Sequence, residues 1–555
     1  MPADTPAPPS GASPAPARNE SPFLPLKHPA FRMIWTATLV ANLGTLIQNV
    51  GAGWQMALLT PSHDMVALVQ ASTSLPVMIL AVAAGALADS FPRRTVMLIA
   101  QSFLLIVSAA LAVVAFSGML TPWLLLAFTF LLGCGNAMHQ PSWQASMRDL
   151  VPREDLPAAI TLNSMSFNLM RSIGPAIGGA IVAALGPAAA FGLNAVSYIA
   201  VIYALARWKS PQEPRDLPRE RMAHAIAAGL RYVALSPDLS RVMMRGFLFG
   251  LGAVTVLALL PVITRDVLRA EAQIFGILLG AFGLGAIGSA LFAVQLRQRF
   301  HIETLVAAAF VLTALGLVIV AFAGNLPIAL IGLLLCGMAW VTALSLFNAS
   351  VQLATPRWVV GRTLSIYQMA TFGGMALGSW LWGVMSDTVS VQATLLAAAA
   401  LMLAGAALGR VRPMPMFSDR NLDPANRFSA PALRLDLKPQ SGPIMIMIDW
   451  VIPPENTTAF LKTMAERRLV RIRDGARQWS LLRDLENPDI WVETYHVPTW
   501  VDYIRHNTRR TQADVASYDR LLSLHKGPDR PQVHRMIERQ TVPVTDDIVI
   551  PPKLP

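Results

Sequence analysis

Charge is what this chain has least of. Only 14% of its 555 residues are Asp, Glu, Lys or Arg, against 54% hydrophobic ones, and mean hydropathy is +0.49. That balance excludes an ordinary soluble enzyme and points to a membrane protein. Between Thr95 and Met147 there is no Asp, Glu, Lys or Arg at all, which leaves room for two membrane spans of about 20 residues each and a short turn. Cysteine is nearly absent. Cys134 and Cys336 both lie in apolar runs, where they read as small packing residues rather than a disulfide or metal pair. The first 22 residues, rich in Pro and Ala, lack the apolar core of a signal peptide and read as an uncleaved disordered tail. No GxxxxGK[ST] phosphate-binding pattern occurs, which argues against ATP-driven pumping.

What is present is a series of apolar runs. Cutting them at charged or Pro/Gly-bearing turns predicts spans near 34–59, 65–88, 95–117, 121–147, 157–184 and 187–206. A second set follows near 241–263, 272–295, 303–323, 327–353, 361–386 and 391–409. The expected fold is therefore an all-α membrane protein of twelve helices in two six-helix halves. Alternate connections hold Arg93 and Arg94, Arg148 and Arg153, Arg207 and Lys209, Arg297 and Arg299, Arg357 and Arg362, Arg410 and Arg412. Only Arg265 and Arg269 interrupt that asymmetry, so the positive-inside rule places both termini in the cytoplasm. The formal charge of +11 then reads as topogenic, and no nucleic-acid partner is expected.

An internal repeat supports the division. Pro152 and Pro356 are 356 − 152 = 204 apart, and the same offset pairs Arg153 with Arg357, Gly174 with Gly378, Gly179 with Gly383, and Arg93 with Arg297. Two six-helix halves related by such a repeat describe a transporter built about a pseudo-twofold axis. The expected organisation is a disordered tail at 1–24, a first half at 25–209, a central loop at 210–239, a second half at 240–412 and a Pro-rich linker at 413–442. A soluble domain at 443–545 and a tail at 546–555 complete it. In that domain, strand-like stretches at 444–452, 478–482 and 490–497 and the last strand VHRMIERQ alternate with helical stretches. The order βαββαβ predicts a small ferredoxin-like α+β sandwich.

Several residues stand out chemically. On the first predicted span Thr45, Gln48, Asn49, Ala52 and Gln55 recur at helical spacing, and Ser345, Asn348 and Gln352 do the same on the tenth. The fourth offers Asn136, His139, Gln140 and Trp143. Polar side chains cannot face lipid cheaply, so these stripes face a central cavity or another helix. Arg171 lies mid-span in the fifth helix, where an isolated charge costs at least about 2.5 kcal/mol; Asn168, Asn163 or a backbone carbonyl would offset it, or it attracts an anionic group of a substrate. No carboxylate lies deep in a span, which leaves Asp89, Asp149 and His139 as titratable candidates. No metal site or cofactor is expected.

The stretch GALADSFPRR, Gly85 to Arg94, resembles the cytoplasmic loop signature of the major facilitator superfamily between its second and third helices. QPSWQASMRDLVPREDLPAAITLNSMSFNLMRSIGPAIGG resembles the enterobactin-exporter-like branch of that superfamily. The resemblance spans roughly 25–410. Val470 to Trp479 and WVETYHVPTW are similar to antibiotic-biosynthesis-monooxygenase-like domains. The loop departs from the family pattern at Ser90 and Pro92, and the second half has Ala293 where Asp89 would repeat.

The resemblance implies that Asp89, with Arg93 and Arg94, forms a gate in which the carboxylate meets the helix start near Gly361 to Leu364. It implies that helices one, four, seven and ten line a cavity. It marks GPAIGG, with Gly174, Pro175, Gly178 and Gly179, as the packing motif associated with antiport. The implied function is export of small amphipathic molecules, siderophore-like or drug-like, by alternating access and proton antiport across a bacterial inner membrane. An importer of the same fold is the alternative. So is a tethered enzyme whose C-terminal domain would act through Trp479, Trp491 and His496, and that domain is also a candidate dimerisation module.

Overall fold

A computed structural model describes residues 23–152, 154–209, 222–356, 358–414 and 437–538, with scattered positions between 422 and 435. The first six long helices are α1 Pro29–Leu59, α2 His63–Ser90, α3 Arg93–Phe116, α4 Pro122–Leu150, α5 Leu156–Leu185 and α6 Pro187–Arg207. A shorter helix, α7 Met222–Ala234, lies in the expected central loop. The second six are α8 Pro237–Val262, α9 Ala272–Arg299, α10 Ile302–Ala321, α11 Leu326–Leu353, α12 Val360–Thr388 and α13 Val391–Val411. Ten of the twelve are long and apolar enough to cross a membrane; the others, α5 and α12, are of matching length. The twelve helices start and stop close to where charges, prolines and glycines place them.

The starts have local causes. Proline occupies the first turn of α1, α4, α6, α8 and α11, where its missing N–H is no loss. Thr121, Asn325 and Ser390 accept the backbone N–H groups of Leu124, Ile328 and Ala393 and so cap α4, α11 and α13. The alternating direction of the helices gathers Arg93, Arg94, Arg207, Arg297, Arg299 and Arg410 at one end of the bundle, here the basic face. The turns at 60–62, 117–121 and 389–390 lie at the opposite face.

The repeat has a direct structural expression. Gly174 of α5 packs on Leu46 of α1, and its counterpart Gly378 of α12 packs on Leu251 and Val254 of α8. Gly179 of α5 meets the backbone of Gly276 on α9; Gly383 of α12 meets Asp64 and Ala67 on α2. The offsets are 378 − 174 = 204 and 383 − 179 = 204. Each pair thus performs the same two tasks: one glycine seats a helix within its own half, and the other lets it cross into the partner half. The α5/α9 and α2/α12 crossings are the seams of the molecule. At Gly179 an ideal Cβ would lie 2.5 Å from the Gly276 Cα, so the small residues there are a steric requirement.

The C-terminal unit runs β1 Ile444–Val451, α14 Thr457–Arg473, β2 Arg477–Arg483, β3 Ile490–Val497, α15 Trp500–Thr508, α16 Gln512–Leu524 and β4 Val533–Ile537. Its strands form one antiparallel sheet in the order β2-β3-β1-β4, the ferredoxin-like arrangement. β1 alternates buried and half-buried residues along its length, because one face packs on the helices. Where the order βαββαβ has one helix between the last two strands, the structure has two, α15 and α16. Thr511 and Asp514 form a reciprocal capping box that starts α16.

This domain docks on the basic face. The Arg231 Nε donates to the Arg473 carbonyl at 3.3 Å. The Arg473 guanidinium lies 5.0 Å from the Tyr232 ring, and that of Arg509 lies 4.1 Å from the Trp358 ring. Tyr232 and Trp358 meet edge to face at 5.8 Å. Cations on aromatic faces, partly shielded from water, hold such contacts by about 0.5–2 kcal/mol each.

Candidate functional site

On the basic face, Arg93 begins α3 and its Nη1 donates to both carboxylate oxygens of Asp149 at 2.9 and 3.0 Å and to the Ala145 carbonyl at 2.9 Å. Arg94 donates from Nε and Nη2 to the carbonyls of Leu205 and Ala206 at 2.9 and 2.8 Å. The pair therefore ties the start of α3 to the ends of α4 and α6, where cations complement the helix dipole. Asp89 is the penultimate residue of α2, and its side chain lies outside the described residues. Four residues earlier, a Cβ on Gly85 would lie 3.0 Å from the Ser365 Oγ, so α2 approaches the first turns of α12 at this end.

The polar stripe of α1 divides. The Gln48 Oε1 accepts from Ser108 Oγ at 2.7 Å and from Asn194 Nδ2 at 2.6 Å, and Asn194 also donates to the Tyr198 hydroxyl, which contacts Thr45 Oγ1 at 3.2 Å. Gln48 thus faces α3 and α6 inside its own half, buried with Ser108, Asn194 and Tyr198. Asn49 is exposed and Gln55 half-buried. On α4, Asn136 is half-buried, His139 buried and Gln140 exposed; Trp143 is buried and donates to Asn163 Oδ1 at 3.2 Å, joining α4 to α5. On α11, Ser345 and Asn348 are half-buried, and Gln352 is exposed and donates to Asn348. The side chains of Asn168 and Arg171 lie outside the described residues. On α5, Gly174 and Gly178 seat α1 and Gly179 crosses α9, while the Pro175 carbonyl abuts Gly276.

The opposite face holds a constellation that the sequence did not reveal. Asp387, at the end of α12, accepts the backbone N–H of His63 at 2.8 Å and of Asp64 at 3.0 Å, and the Ser62 hydroxyl at 3.1 Å. A carboxylate of the second half therefore caps the first turn of α2 in the first half. Arg265, in the π-helical turn Ile263–Val267 that follows α8, donates to the carbonyls of Ala57 and Thr60 at 2.5 and 2.9 Å. It also pairs with Asp266 at 2.6 Å. The His63 Nε2 lies 3.1 Å from Asp266 Oδ2, and its Nδ1 lies 3.0 Å from Ser386 Oγ. These bonds join the halves and close the bundle at this face. Arg265 had shown itself only as an exception to the charge asymmetry.

A second feature escaped the sequence reading. Arg245 on α8 is fully buried and pairs through Nη2 with Glu303 Oε1 at 3.1 Å. The other Glu303 oxygen accepts the Met414 N–H at 2.6 Å, which fastens the point where the chain leaves α13. The charge was visible, but its partner, some 58 residues away, was not.

The C-terminal domain has a charged core. Glu493 is fully buried and accepts from Arg467 Nε at 2.8 and 3.0 Å, Arg471 Nε at 3.2 Å and Trp479 Nε1 at 3.2 Å. Burial would raise its carboxyl, but the Arg467 and Arg471 charges outweigh it and hold it at about 2. Burial, then the neighbouring Arg471 and Arg510, push His506 well below its ordinary range. The Arg471 Nη1 lies 2.9 Å from its Nε2, which fits a neutral ring accepting there. Of the three residues considered for catalysis, Trp479 donates to Glu493, Trp491 packs on Phe460 in the core, and His496 is half-buried. Two of the three are thus used in packing.

Known proteins place this geometry. The chain is 27% identical over 368 residues to the staphyloferrin A transporter of Staphylococcus aureus, covering 65% of this chain and 91% of that one. It is 28% identical over 412 residues to the enterobactin exporter EntS of Salmonella typhimurium, covering 71% and 96%. A bacterial homolog of the lysosomal transporter Spinster, solved inward-facing and unoccupied, superimposes with a TM-score of 0.55 at 12% identity over 69% of this chain and 95% of that one. The peptide transporter PepTSo does so with a TM-score of 0.57 at 12% identity, over 69% and 97%. A family model described as transmembrane secretion effector matches residues 20–541, which include the C-terminal domain. With twelve helices in two seamed halves, the chain belongs to the transmembrane secretion effector family of the major facilitator superfamily.

Proposed function

We propose that the protein is a secondary active transporter that exports small amphipathic molecules of the siderophore class by alternating access, driven by proton antiport. The observation that carries this reading is the pairing of a polar closure at the opposite face with two glycine-lined seams, α5/α9 and α2/α12. Helices that cross at small residues can rock about those points while contacts at the two ends alternate. The relatives supply the cargo class. The positive-inside rule supports a cytoplasmic basic face, which makes the face closed by Asp387 and Arg265 the external one in a bacterial inner membrane.

In this reading Asp89 is the anion that closes the cytoplasmic side against the start of α12, held in register by Arg93 and Arg94. Asn49, Gln55, Asn136, Gln140, Ser345, Asn348 and Gln352 supply the polar surface along the path. His139 and Arg171 are the candidates for coupling and for attracting an anionic cargo. Gln48 and Trp143 hold helices together beside the path.

The test compares a strain that makes the protein with one that lacks it, reading secreted small molecules by mass spectrometry. Everted vesicles energised inside-acid then check direction. Accumulation of an iron-chelating compound in those vesicles, abolished by collapsing the proton gradient, is the expected result. Flux in the reverse direction would establish an importer. In the same assay Asp89→Asn leaves protein abundance near normal and cuts flux at least about tenfold.

A further inference from the structure

His63 occupies an unusual place for a titratable side chain. It begins α2 in the first half, yet both ring nitrogens point at the second half: Nε2 at Asp266 Oδ2, 3.1 Å away, and Nδ1 at the Ser386 hydroxyl and carbonyl, 3.0 and 3.3 Å away. Asp387 Oδ1 lies 3.6 Å from Nδ1. The ring is one-fifth exposed, Asp266 37% and Asp387 32%, so water and protons from that face reach the cluster.

The charges around the ring are unbalanced. On its own helix stands Asp64, which accepts from Ser62 and from the Met65 N–H. The turn after α8 contributes Asp266 and Arg265, and α12 contributes Asp387. The formal sum without His63 is −3 + 1 = −2, counted over these four side chains. Arg265 is already paired with Asp266. Asp64 of one half and Asp387 of the other therefore face each other with little between them but Ser62, whose hydroxyl touches both.

We propose that His63 is the proton-binding residue of an inter-half latch, and that a proton taken from the opposite face holds that face shut. A neutral ring offers one N–H, which Asp266 uses, and its other nitrogen accepts from Ser386. The proton adds a second N–H toward the Ser386 carbonyl and Asp387 and puts a cation among three carboxylates. Charge-assisted bonds of this kind are about twice as strong as neutral ones. When the halves part, the ring faces water and loses those partners. Proton binding and closure therefore favour each other, and by linkage to the same extent. If the export reading holds, external acidity returns the empty carrier to its inward-facing form.

The opposite sign is a real alternative. A proton on Asp387 would remove an acceptor from the α2 cap and open the latch, so the direction of the response identifies the group. The test uses the full chain in lipid nanodiscs, with Cys134 and Cys336 replaced by alanine and spin labels at Ser117 and Gly324. Both positions are exposed, one on each half at the latched face. Distance distributions are read between about pH 8 and about pH 5.5, the range over which histidine titrates. The latched-to-open ratio should rise about tenfold on acidification. It should become independent of pH in His63→Gln, and should stay high at both pH values in His63→Arg. A pH-independent ratio in the unsubstituted protein, an unchanged response in His63→Gln, or opening in acid overturns the proposal. No cargo and no gradient are involved, so this result stands or falls apart from the flux assays.

Discussion

Glu303 and Arg245 show how one buried charge sets the stakes for its partner. The guanidinium is fully buried while Glu303 keeps a quarter of its surface exposed. Removing the partner of a fully buried ion costs roughly 3–5 kcal/mol, and partial exposure lowers that to about 2 kcal/mol for Glu303→Gln. The pair Arg245→Met with Glu303→Leu removes both charges and should recover most of the loss. Thermal unfolding in detergent reads both values, and a double variant no better than the single one would show that the pair is not the source. Arg171 belongs to the same class of question: Arg171→Gln should stop flux at normal protein level, with partial rescue by Arg171→Lys. Little of this was legible residue by residue. The spacing of Thr45, Gln48, Asn49, Ala52 and Gln55 reads as one stripe, but a stripe does not name its neighbours, and this one divides. Gln48 went to Ser108 and Asn194 because α6 passes close enough for a three-way bond.

Elements were far more readable. Long uncharged runs, caps and first-turn prolines place twelve helices, since each of these signals is local. The glycines repeated at a fixed offset were read as a sign of two related halves, and in the structure Gly179 and Gly383 of that repeat lie at the two seams. A substitution at a seam should therefore act alike in both halves. Gly179→Val places a branched side chain where even a Cβ would sit 2.5 Å from the Gly276 backbone, and at Gly383 the nearest atoms are 2.8 and 2.9 Å away. Each valine should destabilise by about 1–3 kcal/mol through overpacking and separate the halves at its own seam. Disulfide trapping across α5/α9 and across α2/α12 checks this, and a loss confined to one seam in both variants would argue against symmetric roles. What the sequence could not show was the closure at the face opposite the basic one. Ser62, His63, Asp64, Asp266 and Asp387 are ordinary helix-end residues until the pseudo-twofold packing brings the end of α12 over the start of α2. The break between α15 and α16 was legible in principle, because Thr511 and Asp514 have the capping-box spacing.

At the scale of the whole molecule, two bodies with different demands share one chain. The C-terminal domain keeps Glu493 ionised and His506 neutral in its core, and both choices respond to pH in the same sense. A carboxyl held at about 2 against an ordinary 4.5 contributes stability above pH 4.5 that disappears as pH falls toward 2. A histidine held well below 6.5 takes up its proton only on unfolding, so stability also falls as pH drops below 6.5. Asp474, raised by burial from 3.8, works in the other direction above its ordinary value. As pH falls below 6.5 the proton that His506 takes up only on unfolding should make the domain less stable. Hydrogen exchange in β1 and β3 of the full chain measures it.

The transporter body makes no such demand on the domain. Its helices satisfy their backbone bonds internally, and the Met414 N–H on Glu303 fastens the chain where it leaves α13. A chain ending just after Met414 should therefore insert and keep both seams. It should lose only the cover that Arg473 and Arg509 give to Tyr232 and Trp358. Hydrogen exchange should then accelerate in α7 and in the turn before α12 and stay unchanged across α2, α5 and α9. Arg509→Ala in the full chain should give a weaker version of the same pattern. Unchanged exchange around Tyr232 and Trp358 after truncation would refute the docking, while failure to insert would place the C-terminal domain among the elements the transporter needs in order to fold.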